Sequence, residues 1–92
     1  MVNLYHSAQG TVMDIRDKKA IVFGGTSGIG LATCKELLTR GADVVAVSRN
    51  PRKTGTLIDG LRLVSVDTRD SDAVIAFFES EGKFDILISS AT

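Results

Sequence analysis

From residue 20 onward the chain alternates short apolar runs with glycine-rich turns and segments of helical periodicity. Ala20-Ile21-Val22-Phe23 lies between lysines and glycines. Its hydrophobicity is continuous rather than alternating, which predicts a strand covered on both faces, as in parallel sheets. A helix is expected from about Gly28 to Arg40, with Ile29, Leu31, Ala32, Cys34, Leu37 and Leu38 giving broad apolar coverage. Gly41 ends it where a left-handed residue is usually required. Val44-Val45-Ala46-Val47 reads as a second buried strand, and Leu61 to Val66 as a third. Asp70 or Ser71 caps a helix to about Glu81, in which Val74, Phe77 and Phe78 recur at helical spacing. Phe84 to Ile88 is a fourth strand. Strands alternating with helices predict an α/β fold with a parallel sheet and right-handed crossovers. Residues 50–60 are too few and too irregular to assign a crossover helix.

Met1 to Val12 has neither periodicity, so residues 1–12 are expected to be an irregular extension of a domain over 13–92. Met13 precedes a polar lead-in to the first buried run and is either a natural start or an ordinary apolar side chain.

Composition narrows the function. Eleven Lys and Arg balance eleven Asp and Glu over 92 residues. That balance lacks the basic field of nucleic-acid binders and the cationic face of membrane-surface helices. No stretch approaches the roughly 18 apolar residues of a membrane span. With one cysteine, Cys34, and one histidine, His6, neither an intrachain disulfide nor a clustered zinc site is expected. The lone cysteine fits a reducing, cytoplasmic setting, and Cys34 itself reads as a small core residue.

The chemistry is concentrated in Gly24-Gly25-Thr26-Ser27-Gly28-Ile29-Gly30, a turn between a strand and a helix. Glycines there allow a tight turn and close backbone approach to a pyrophosphate. The helix N-terminus offers unpaired N–H groups and the positive end of its dipole, and Thr26 and Ser27 add hydroxyl donors. The sheet this predicts is part of a Rossmann-type, doubly wound parallel sheet with strand order 3-2-1-4. About twenty residues beyond the glycines, such folds place the group that reads the adenosine ribose. This chain offers Ser48 and Arg49, followed by Arg52 and Lys53. A guanidinium binds a 2′-phosphate in bidentate fashion, so NADP is favoured over NAD.

The glycine turn, the strand before it and the tail Asp85-Ile86-Leu87-Ile88-Ser89-Ser90-Ala91 resemble the short-chain dehydrogenase/reductase family. The resemblance runs from Asp14 to Thr92 and covers about the first third of a typical member. It implies that Gly24, Gly25, Thr26, Ser27, Gly28, Ile29 and Gly30 line the cofactor's phosphates and ribose. Asp67, with Thr68 beside it, would hold adenine, and Ser90 and Ala91 would contact the cofactor further along. The family's threonine before the first motif glycine is Phe23 here, and its Asn-Asn-Ala-Gly is Ser89-Ser90-Ala91-Thr92, identical only at Ala91.

Members of this family exchange hydride between a nicotinamide and a carbonyl or alcohol through a Tyr-x-x-x-Lys pair. A tyrosine near its ordinary pKa is a poor base until a neighbouring cation stabilises the phenolate. The single tyrosine, Tyr5, has Gln9 four places later, so no catalytic residue and no metal ligand is assigned here. Asp70, Asp72, Glu79 and Glu81 read as helix-start and solvent-facing charges. The expected function is therefore the NADP(H)-binding portion of an oxidoreductase, inactive as these residues alone. The alternative is a non-catalytic module that binds nucleotide or a partner. Phe84 to Ile88 is expected to form an uncapped sheet edge through which copies self-associate.

Overall fold

The computed structural model describes residues 2–6, 15–26, 28–49 and 58–90. Its elements are β1 (Val2–His6), β2 (Lys19–Phe23), α1 (Gly28–Thr39), β3 (Asp43–Ser48), β4 (Leu61–Ser65), α2 (Ser71–Glu81) and β5 (Ile86–Ser90). The sheet runs β1-β5-β2-β3-β4. Its four strands from β2 onward pair in parallel, and counted among themselves they stand in the order 3-2-1-4. The α/β doubly wound reading of the sequence therefore holds, with element ends moved by one or two residues.

Alternation along the central strands builds two cores. Ala20 and Val22 of β2, Val44 and Ala46 of β3, and Ile86 and Ile88 of β5 face α1, where Cys34 and Leu37 meet them. Ile21, Val45 and Val47 face the other way and pack with Val66 and Phe77. Because both faces are covered, β2 and β3 must be apolar at every interior position, which is why neither strand alternates in sequence. Phe23, at the end of β2, joins the second core. Its ring stands edge-on to Phe77 with centroids 5.8 Å apart, and Phe78 lies at the same distance. This packing explains why a phenylalanine stands before the glycine turn.

The helix ends follow the local chemistry expected of them. Gly41 at φ 88° closes α1, its N–H donating to Leu38 O while Ala42 N–H reaches Leu37 O. Asp70 caps α2 by accepting from the N–H groups of Asp72 and Ala73. Glu81 corrects an expectation: rather than facing solvent, its side chain is nearly covered and clamped between Lys19 at 3.0 Å and Arg62. Burial alone would raise its pKa, but the two cations outweigh that and lower it. Lys19 also donates to Glu81 O at 2.7 Å, so the end of α2 is tied to the start of β2.

Two further expectations change at the sheet edge. The leader is not irregular throughout, because Val2–His6 forms β1, paired antiparallel along β5 from Val2↔Ser90 to His6↔Ile86. The edge expected to be open at 84–88 is consequently occupied. The ladder of β5 also begins later than Phe84, because Asp85 is held by Lys19: Asp85 N–H donates to Lys19 O, and Lys19 N–H donates to the Asp85 carboxylate. β1 stands where a doubly wound sheet would continue with its next strand, and it satisfies the backbone groups of an otherwise exposed, apolar edge. Met13 and residues 50–57 lie outside the described residues.

One outcome follows from that pairing. A variant lacking residues 1–12 exposes the outer edge of β5 and is expected to self-associate at micromolar concentration, as read by sedimentation velocity. A monodisperse monomer with unchanged hydrogen exchange at Ile86 to Ser90 would show that β1 does not protect this edge.

Candidate functional site

The C-terminal ends of the parallel strands β2, β3, β4 and β5 lie along one edge of the sheet, and α1 starts just beyond β2 on that edge, which is where open α/β sheets place their ligands. The turn leaving β2 is fixed by Gly24, at φ 79°, whose N–H donates to Val47 O at 2.8 Å. A Cβ on Gly24 would lie 2.5 Å from Ser90 O, so the end of β5 presses on this turn. Gly25 rests on Cys34 and Ala46, each 2.9 Å from where its Cβ would be. Gly30 is tighter still, because its Cβ would fall 1.9 Å from Gly24 O. The first turn of α1 therefore packs directly against the backbone of the glycine turn. Gly28 differs: it adopts φ 56° with none of the described residues within 4 Å of where its Cβ would be, so backbone conformation is what suits glycine there. Thr26 is buried, and Ile29 is exposed at 59% of its surface at the helix start.

The first turn of α1 carries no acidic residue, leaving the positive end of the helix dipole uncompensated by its own side chains. Beneath it, Cys34 is fully buried, its Sγ 3.6 Å from Gly25 O. Burial pushes the thiol up to about 11. At pH 8 only about one in a thousand such thiols is ionised. A maleimide should therefore label the folded protein far more slowly than the unfolded one, and equal rates in the two states would refute the buried placement.

The adenosine-side candidates gather at the ends of β3 and β4. Ser48 is half-buried at the end of β3, and Arg49 is exposed just beyond it. The main chain around Arg49 is stapled to β4: Ser65 Oγ donates to Arg49 O at 2.9 Å, and Val66 N–H donates to Ser48 O at 3.0 Å. Asp67 follows directly. Its Oδ1 accepts from the main-chain N–H of Arg69 at 2.9 Å and from Arg69 Nε at 3.0 Å, while Oδ2 accepts from Arg69 Nη2 at 3.0 Å. The hydrogen bonds from the Arg69 side chain, then from its main chain, hold Asp67 down to about 2, and the charge of Arg49 acts in the same direction. Thr68 is exposed between the pair.

The structure thus gathers Gly24, Gly25, Thr26, Gly28, Ile29 and Gly30 at one turn, with Ser90 against it. Ser48, Arg49, Asp67 and Thr68 stand at the neighbouring strand ends. Ser27 and Ala91, with Arg52 and Lys53, lie outside the described residues. The sequence reading missed Ser65 and Arg69. The signal for Arg69 was the Asp-x-Arg spacing, since an aspartate commonly accepts from the N–H two residues on. Among the described residues no group of three or more His, Cys, Asp or Glu could hold a metal, and no helix is long and apolar enough to cross a membrane.

Comparison with known proteins agrees with this architecture. The pattern that defines the short chain dehydrogenases matches residues 18–92. A short chain dehydrogenase of Pseudocercospora fijiensis is 35% identical over 88 residues, covering 84% of this chain and 28% of that protein. The L-xylulose reductase of Mesocricetus auratus is 34% identical over 82 residues, covering 86% of this chain and 34% of that protein. Among solved structures, 3-ketoacyl-(acyl-carrier-protein) reductase from Brucella melitensis, complexed with NADH, superposes with a TM-score of 0.62 at 28% identity. That match covers 72% of this chain and 29% of the reductase. The chain spans about a third of the length of the curated relatives it matches.

Proposed function

Since this chain belongs to the short-chain dehydrogenase family, we propose that residues 18–90 bind the adenosine and pyrophosphate portion of NADP(H) for an oxidoreductase acting on carbonyl or alcohol substrates. The observation that carries the reading is the close junction between the glycine turn and the start of α1. At Gly24 and Gly30 any Cβ would collide with backbone, and the glycine turn opens onto a helix start without a carboxylate of its own. In this reading the N–H groups at Gly28, Ile29 and Gly30 face the pyrophosphate, and Thr26 and Ser27 add hydroxyl donors. Gly25 keeps the turn close to Cys34, while Ser90 and Ala91 border the cofactor on the side of β5. Arg49 and Ser48 read the 2′-phosphate, which selects NADP over NAD. Asp67, ionised at any physiological pH, accepts from the adenine amino group, with Thr68 beside it.

The cofactor supplies the hydride chemistry through its nicotinamide. These 92 residues contain no Tyr-x-x-x-Lys, so they bind and orient without moving the substrate's proton. A reducing, cytoplasmic setting belongs to the same proposal and rests on the single, buried Cys34.

The test is a calorimetric titration of the 92-residue protein with 2′,5′-ADP and with 5′-AMP. Tighter binding of 2′,5′-ADP supports the NADP assignment, and equal affinity removes it. Absence of binding to either, at concentrations up to millimolar, removes the reading for this chain. A second reading is a non-catalytic module that binds nucleotide or a partner. Oxidation of NADPH by the purified chain with any of a panel of carbonyl compounds would exclude it.

A further inference from the structure

The Asp67–Arg69 pair does more than neutralise a charge. A carboxylate has about four acceptor positions, two on each oxygen. Oδ1 of Asp67 spends both of its own on Arg69, one on the main-chain N–H and one on Nε. Oδ2 spends one, on Nη2. Among the described residues a single acceptor position therefore remains, on Oδ2, and its direction is set by the plane that the guanidinium fork imposes. An aspartate free to rotate would present its lone pairs in many directions and lose that freedom on binding.

We propose that Arg69 is the positioning residue for base selection: its planar fork fixes the Asp67 carboxylate so that the one remaining acceptor meets the exocyclic amino group of adenine. The proposal rests on the reading of the cofactor site given above. The chemistry recognised is a donor at the 6-position of a purine. Hypoxanthine carries a carbonyl oxygen there, which would face the carboxylate lone pair and be repelled. The same fork keeps one edge of Asp67 closed to competing donors. Its position is itself fixed, because Asp67 O accepts from the N–H of Asp70, the residue that caps α2. The segment from the end of β4 to the start of α2 thus holds Asp67 and Arg69 in one short turn.

The experiment compares NADP+ with nicotinamide hypoxanthine dinucleotide phosphate by calorimetry, on the 92-residue protein and its variants. Arg69→Ala keeps the main-chain N–H and removes the fork. The wild-type preference for the adenine form is expected to fall roughly threefold to tenfold, the scale of restoring freedom to one immobilised side chain. Any loss of general attraction for phosphate affects both dinucleotides alike and cancels in the ratio. Arg69→Lys, which keeps the charge without the planar fork, is expected to restore less than half of the lost preference. Far-UV circular dichroism confirms folding, and Arg69→Met, which keeps the aliphatic stem, replaces the alanine variant if that variant unfolds. An unchanged ratio in a folded variant overturns the proposal while leaving the cofactor site intact, as does full restoration by lysine. If the wild-type protein binds neither dinucleotide, the site reading fails and this inference with it.

Discussion

Gly30→Ala is expected to abolish measurable dinucleotide binding, with a loss of at least a hundredfold, and to destabilise the fold by about 3 kcal/mol, the upper end of overpacking costs. The reason is local and severe. The new methyl carbon would lie 1.9 Å from Gly24 O and 2.7 Å from Gly24 C, both backbone atoms that no rotamer change can move. The clash is relieved only by moving the start of α1 away from the turn, which separates the helix N–H groups from the glycine backbone. Gly28→Ala provides the contrast. Among the described residues nothing lies within 4 Å of its Cβ, and the positive φ opposes it at a cost of roughly 1–3 kcal/mol. Its effect on binding should be the smaller of the two. Thermal melts and titration with 2′,5′-ADP measure both variants, and binding by Gly30→Ala within threefold of the wild type would refute this account of the cradle.

Arg49→Met should lower the affinity for 2′,5′-ADP by about 10- to 100-fold, the equivalent of the roughly 1.5–3 kcal/mol of a hydrogen bond to a charged group. Affinity for 5′-AMP should change by less than about threefold. The variant is informative because the Arg49 backbone is held independently of its side chain, by Ser65 Oγ on Arg49 O and by Val66 N–H on Ser48 O. Removing the guanidinium therefore leaves the end of β3 in place. Exposure of Arg49 makes the effect sensitive to salt, and the selectivity of the wild type should shrink as ionic strength rises. A variant that retains the wild-type ratio of affinities would transfer 2′-phosphate recognition to another residue.

The parts of the molecule legible in advance share a physical property: their signal is local. Val44 to Val47 reads as a buried strand because every residue must be apolar when both faces are covered. Gly41 and Asp70 mark helix ends because an orphan carbonyl or N–H group needs a particular neighbour within a few residues. The glycine turn is legible for the same reason. Apart from Arg69, whose partner Asp67 is two residues away, what was missed depends on partners distant in sequence. Val2–His6 carries no periodicity that marks a strand, and its pairing comes from the backbone of β5, at least 80 positions away. Glu81 looked like a solvated helix-end charge, since nothing near it in sequence reveals Lys19 and Arg62. Ser65 gave no signal because its partner, the Arg49 carbonyl, is reached only once β3 and β4 are in register.

The sequence by itself determined the order of strands and helices from β2 onward, their parallel pairing and the position of the glycine turn, because periodicity, caps and glycine spacing act over a few residues. Only the tertiary structure decided that the end of β5 presses on Gly24, that β1 fills the outer edge of β5, and that Glu81 is held between Lys19 and Arg62. Those outcomes are set by the distance between backbones and by the meeting of charges far apart in sequence. Both come into being when separate segments pack into one sheet.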